Sequence, residues 1–184
     1  MNELIWRIQR KILVALTGEE RVATGIMVHR ARQAGVRVGE GCRLYSLNFS
    51  TEPYLVRLGN HVTVTYNVQF VTHDGATWVF RERVPELELF GPIVVGDNVF
   101  IGLNSIILFN TVIGDNSIVA AGSVVKGVFE PNSVIAGVPA RRISTIEGYF
   151  EKNRRGFVNS KGKGPAEKRR LIQNHFHGDR HPGD

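Results

Sequence analysis

The chain has 184 residues, 42% of them hydrophobic, one cysteine and a formal net charge of +6. That length suits one domain with terminal extensions, and that apolar content excludes wholesale disorder. The charge is carried by the flanks, +4 over residues 1–37 and +5 over 148–184 against −3 between them, a pattern of solvated surface that predicts no nucleic-acid partner.

The first predicted element is a helix. Leu4, Ile8, Ile12 and Leu16 form an i, i+4 stripe, with Arg7, Arg10 and Lys11 elsewhere around the cylinder. Such a stripe packs on the following domain or on a neighbouring subunit. A second reading is weak association of a basic amphipathic helix with a membrane surface. The apolar run Ile12–Leu16 is shorter than the core of a secretory signal, no run is long enough to span a bilayer, and the lone Cys42 excludes an internal disulfide. A cytoplasmic protein is expected. Thr17-Gly18-Glu19-Glu20 reads as a capping box opening a second helix, which carries His29 and stops near Gly35. Residues 1–35 are thus an N-terminal helical segment.

A period of six follows. Val95, Ile101, Ile107, Ile113, Val119 and Val125 are spaced by six without a miss. Four places after each of the first five stands a small or β-branched residue: Val99, Ser105, Thr111, Ser117, Ser123. Gly96, Gly102 and Gly114 follow three of the aliphatic positions. The same pattern appears earlier at Val38/Cys42, Leu58/Val62, Val64/Val68 and Phe70. This is the signature of a hexapeptide-repeat β-helix. Each short strand turns one aliphatic side chain inward, each corner admits only a small inward residue, and stacked coils supply one another's core. Cys42 occupies a small-residue position, so it reads as a packed side chain rather than a reactive thiol.

The repeat is interrupted twice. One interruption contains Asn48, Glu52 and Tyr54. The other begins in "VTHDGATWVFR", 71–81, where a strand ends at His73, Asp74-Gly75 signals a turn, and residues 74–92 are expected to project as a loop. After the repeat, Ser144–Arg155 reads as helical and Gly164-Pro165 opens another short helix, which makes 144–184 a C-terminal helical extension. The final "HFHGDRHPGD" reads as a loose terminus rather than a metal site.

Residues 93–143, "IVVGDNVFIGLNSIILFNTVIGDNSIVAAGSVVKGVFEPNSVIAGVPARRI", closely resemble the hexapeptide-repeat acyltransferases, and the likeness spans about 36–143. Within that family, residues 52–81 look like the capsular-polysaccharide and lipopolysaccharide O-acetyltransferases. The resemblance implies a mainly β fold, a left-handed parallel β-helix, assembled as a homotrimer with acetyl-CoA as acyl donor and no metal. It implies a donor groove between neighbouring β-helices, formed at Gly102 and Leu103 of "FIGLN" and at Ala120 and Ala121 of "VAAGS". The "AGVPAR" element, 136–141, places Arg141 or Arg142 beside the nucleotide end, and Lys126 stands where the family often has Thr-Lys after its Ser-Val-Val run. His73 matches the family's general base in its "THDG" setting. Histidine suits proton abstraction from a hydroxyl near neutrality. Trp78 and Arg81 are candidates to stack on a sugar ring and grip an anionic group; Asn48, Glu52 and Tyr54 are further acceptor candidates.

The expected activity is acetyl-CoA-dependent O-acetylation of a sugar hydroxyl in surface polysaccharide biosynthesis, by direct attack with His73 as base. An N-acetyltransferase acting on an amino sugar is the nearest rival, and a non-catalytic β-helix scaffold is a rival of another class. A zinc carbonic anhydrase of this fold needs three histidine ligands including a close pair, whereas His61 and His73 are twelve residues apart.

Overall fold

The computed structural model describes residues 3–17 and 20–177. Two compact units divide the chain, 1–146 and 147–184. The first opens with α1 (Glu3–Thr17) and α2 (Glu20–Gln33). Of the expected capping box, Thr17 to Glu20, residues 18 and 19 fall outside the described residues. At its C-terminus α2 ends as predicted: Gly35 takes φ +105°, Val36 N donates to Ala31 O at 3.0 Å and Gly35 N to Arg32 O at 3.0 Å. Met27, Val28 and Ala31 of α2 are buried in the main core. The α1 stripe fares differently: Leu4, Ile8, Ile12 and Leu16 are 61%, 52%, 53% and 78% exposed in the single chain.

The repeat then builds thirteen short strands: β1 (Arg37–Val38), β2 (Arg43–Leu44), β3 (Val56–Leu58), β4 (Thr63–Val64), β5 (Gln69–Val71), β6 (Ile93–Val95) and β7 (Phe100–Ile101). They continue as β8 (Ile106–Leu108), β9 (Thr111–Ile113), β10 (Ile118–Val119), β11 (Val124–Val125), β12 (Val128–Phe129) and β13 (Ser133–Gly137). These pair in parallel into three sheets, β1-β3-β6-β9-β12, β2-β4-β7-β10-β13 and β5-β8-β11, which are the three sides of a parallel β-helix. The register stacks Leu58 on Val95 on Ile113, Val64 on Ile101 on Val119, and Phe70 on Ile107 on Val125. All nine are essentially inaccessible, and burying each such side chain contributes roughly 1.5–3 kcal/mol.

The corners explain the remaining letters of the repeat. The inward small residues Val99, Ser105, Thr111, Ser117 and Ser123 are all buried, with the hydroxyls bonded to backbone carbonyls, as in Ser123 Oγ to Ala120 O at 2.7 Å. Cys42 follows the same rule: its Sγ lies 3.1 Å from Gly59 O, and burial pushes its thiol pKa up. Left-handed backbone turns each corner. His61, Asn98, Asn116 and Asn132 take φ between +53° and +61° at the first corner, Asn67 and Asn104 at the second, and Asn110 at the third. Asparagine tolerates this region because its short amide bonds locally. The amides also ladder between coils, Asn98 Nδ2 donating to Asn116 Oδ1 at 2.9 Å and Asn67 Nδ2 to Asn104 Oδ1 at 3.1 Å. Beside them Asp97 accepts from Asn60 N at 2.7 Å, which holds its carboxyl below the usual range.

The chain leaves the coil by an antiparallel return. β14 (Ala140–Thr145) pairs with β13, Ala136 opposite Arg141 and Val134 opposite Ser144. The helix expected from Ser144 therefore starts two residues later, because Ser144 and Thr145 are held in the hairpin; α3 runs Ile146–Asn153 and a single 3-10 turn covers Arg154–Gly156. In the second unit the rings of Phe150 and Phe157 pack at 5.1 Å. α4 (Pro165–His177) is a full thirteen-residue helix, longer than the short one expected. His175 and His177 sit in its last turn, not in a loose tail, and His175 Nε2 lies 2.8 Å from Arg155 O. The remainder of the tail lies outside the described residues.

Candidate active site

The two interruptions of the repeat fall on the same corner of successive coils. Asn48 forms a parallel bridge to Gln69 and its carbonyl accepts from Phe70 N at 2.8 Å, so the first interruption is laid alongside β5. That stacking brings residues 50–52 to His73, although twenty-one residues separate Glu52 from the histidine. His73 Nδ1 is 3.0 Å from Glu52 Oε2, with Ser50 Oγ at 3.2 Å and Thr51 Oγ1 at 3.3 Å. Glu52 is itself held in place: Thr51 Oγ1 donates to its Oε1 and Thr72 Oγ1 to its Oε2 at 2.8 Å. The Thr51 hydrogen bond, then those of Thr72 and His73, hold the Glu52 carboxyl below the usual carboxylate range against the opposing effect of burial. An ionised Glu52 accepts the Nδ1 proton, which fixes the tautomer and leaves the Nε2 lone pair available. The Glu52 side chain is 14% exposed and that of His73 39%.

The second interruption is pinched at its base. Gly91 N donates to Thr72 O and Asp74 N to Leu89 O, both at 2.9 Å, around the antiparallel bridge His73–Phe90. Asp74 Oδ1 accepts from Ala76 N at 2.9 Å and caps a 3-10 segment, Gly75–Phe80; it serves the turn and does not touch the histidine. Between the loop and the coil lies a cleft of about 220 Å³ lined by Thr51, Glu52, His73, Arg81, Glu88 and Phe90, among others.

Of the acceptor candidates, Glu52 and Arg81 line this cleft. Glu52 does so as the partner of His73. Trp78 is 72% exposed outside the lining set, with the Arg81 guanidinium carbon 5.6 Å from its ring centroid. Tyr54 is exposed and packs near Gly35, and Asn48 is engaged through its backbone. Glu88 and Phe90 were not singled out in the sequence: nothing about a charged and an aromatic residue in a long loop marks which ones return to its base.

The donor candidates divide into two groups. Gly102 and Leu103 follow β7, and Ala120 and Ala121 follow β10 directly below, so all four stack on the second corner, with Gly122 N donating to Leu103 O at 2.8 Å. Lys126, Arg141 and Arg142 line a separate cleft of about 360 Å³ with Val128, Phe129 and Glu130. Lys126 Nζ sits 4.1 Å from the Phe109 ring centroid. His73 follows β5 by two residues and so belongs to the third corner, on a different edge of the coil from Gly102 and Ala121. Gly102 also has a packing reason to be glycine, since a Cβ there would lie 2.5 Å from Ala121 N and 2.8 Å from Ala120 C. Gly102→Ala should therefore cost about 1–3 kcal/mol of stability, read as a lower urea midpoint at fixed protein concentration; an unchanged midpoint would show that the coils can spread there.

The hexapeptide repeat of succinyl-transferase matches residues 92–126. Over 155 residues the chain is 44% identical to Protein CapG of Staphylococcus aureus, a match covering 83% of this chain and 90% of that one. The chain belongs to the hexapeptide-repeat acyltransferase family. Its left-handed β-helix is shared with a hexapeptide-repeat-containing acetyltransferase from Vibrio cholerae, at TM-score 0.53 and 22% identity over 75% of this chain and 93% of that one. It is shared likewise with a galactoside acetyltransferase solved in complex with coenzyme A, at TM-score 0.51 and 23% identity over 88% of each. At those identities the likeness speaks for the fold. Among the described residues no group of three or more His, Cys, Asp or Glu is placed to hold a metal, and no helix is long and apolar enough to cross a membrane.

Proposed function

We propose that this acyltransferase moves an acetyl group from acetyl-CoA to a sugar hydroxyl, in the making of a surface polysaccharide. The observation that carries the proposal is the held imidazole: Nδ1 is committed to Glu52, and Nε2 is left to take a proton in a cleft large enough for a sugar. The acceptor hydroxyl attacks the thioester carbonyl as Nε2 removes its proton. The new C–O bond forms, the C–S bond breaks, and the proton returns to the departing thiolate to give free CoA and the acetyl ester. The name of the S. aureus relative supports the capsule setting.

The donor lies along the second corner at Gly102, Leu103, Ala120 and Ala121, and Lys126, Arg141 and Arg142 meet its phosphates. Because those turns and His73 occupy different edges of one coil, a complete site needs the donor corner of one subunit against the His73 corner of the next. That is the arrangement of a homotrimer; a monomer mass by light scattering with full activity would remove it. Ala121→Trp should fill the groove, weakening CoA affinity about tenfold or more while the circular dichroism spectrum is unchanged; unaltered affinity would mean the donor lies elsewhere. The reaction itself is tested by thiol release from acetyl-CoA with matched hydroxyl and amino acceptors. Faster turnover of hydroxyl acceptors supports O-acetylation, and faster turnover of amino sugars would replace it with the N-acetyl reading.

A further inference from the structure

The cleft around His73 contains groups that proton abstraction does not use. We propose that Phe90, Glu88 and Arg81 form an acceptor subsite for a neutral, hydroxyl-rich pyranose ring, one that disfavours acceptors carrying a carboxylate, phosphate or ammonium at that position. This rests on the acetyl-transfer reading given above and names the substrate class of the same cleft.

The pinch at the base of the loop sets the geometry. The hydrogen bonds from Gly91 N to Thr72 O and from Asp74 N to Leu89 O flank the His73–Phe90 bridge, making those two a directly opposed, non-hydrogen-bonded pair. Side chains of such a pair stand close together on one face. The imidazole and phenyl centroids are 6.3 Å apart with planes at 67°, and Phe90 remains 43% exposed. Its ring thus borders the base with an open apolar face, a match for the C–H face of a sugar. Glu88 and Leu89, which lead into Phe90, line the cleft with it, as does Arg81 from the end of the 3-10 segment.

The charges then select the ligand. Glu52 is taken by His73, and Asp74 by the backbone of Ala76. Glu88 and Arg81 remain, and neither is ion-paired among the described residues. A carboxylate only accepts hydrogen bonds and a guanidinium only donates them; a hydroxyl does both. A ring of hydroxyls satisfies the two groups together. An anionic acceptor that meets Arg81 is carried against Glu88, and a cationic one that meets Glu88 is carried against Arg81.

Saturation-transfer NMR on the full chain, with methyl glucoside, methyl glucuronide and methyl glucosaminide as probes, reads binding without requiring transfer. The neutral glycoside should bind about tenfold or more tightly than either charged one, with saturation strongest on its ring C–H protons. Glu88→Gln should weaken neutral binding by about tenfold or more, Glu88→Lys should turn the preference toward the glucuronide, and Glu86→Gln, in the same loop but outside the lining, should change neither. Tighter binding of a charged probe by the wild type, no binding of the neutral probe, or indifference to Glu88→Gln overturns the subsite. Thiol release run in parallel keeps the two readings apart: neutral glycosides bound but never acetylated would count against acetyl transfer and leave the subsite standing, whereas efficient acetylation of the glucuronide would do the reverse.

Discussion

His73→Ala should lower kcat by roughly 10²–10⁴-fold, the usual worth of a positioned general base, while CoA affinity stays within a few-fold because the turns proposed to hold the donor lie on another corner. If the imidazole only bonded the loop to the coil, the substitution would instead lower thermal stability and raise acceptor KM, with kcat at saturating acceptor near wild type. The two patterns are separated by kcat, acceptor KM and CoA affinity measured on one preparation of each protein. A variant retaining more than about a third of wild-type kcat would remove His73 from the chemistry.

Glu52→Gln should carry the next largest effect, a loss in kcat on the order of 10²-fold with a smaller change in acceptor KM. The amide still fills the space beside Thr51 and Thr72, but it presents a donor as readily as an acceptor to Nδ1 and no longer stabilises the imidazolium that forms during transfer. Glu52→Asp should recover part of the rate, which a purely structural role would not produce. Stability should respond to pH with a definite sign. The folded-state carboxyl titrates below the usual range, so its contribution is complete above the unfolded value of about 4.3 and is lost as pH falls through the lower folded value. The difference in Tm between wild type and Glu52→Gln should therefore be full at pH 6 and shrink progressively as pH falls below that unfolded value. A difference that stays constant across pH 3–7 would mean that Glu52 is not the ionised partner of His73.

The coil was legible in the sequence because its side and its repeat have the same length. A strand and a corner consume six residues, so Val95 to Val125 report every inward position without reference to anything distant. The corner backbone was equally legible and went unread: Asn98, Asn104, Asn110 and Asn116 are also spaced by six, and each takes left-handed φ. His73 stood out because it ends a run that the period would have continued. Glu52 did not stand out as its partner, since their meeting depends on stacking two interruptions of different lengths, which no spacing encodes. The exit from the coil departs from the sequence pattern for a related reason. Residues 144 and 145 are polar enough for a helix start, and only the antiparallel partner at Ser133 and Val134 holds them extended.

The pinch beneath the projecting loop has a consequence for how this scaffold changes. The chain departs at Thr72 and rejoins at Gly91, side by side, and β5 and β6 keep their partners in the coils above and below. The coil therefore cannot sense how long the excursion is; a doubling of its length would add only about 0.6 kcal/mol of closure entropy. The first corner offers no such freedom, because Gly59 and Gly96 there abut the next turn and the asparagine amides interlock. A change of length is thus accommodated more readily on this seam than on the first corner. Along that seam a segment can be exchanged as a cartridge, remodelling the wall of the cleft while His73, Glu52 and the second-corner turns keep their places.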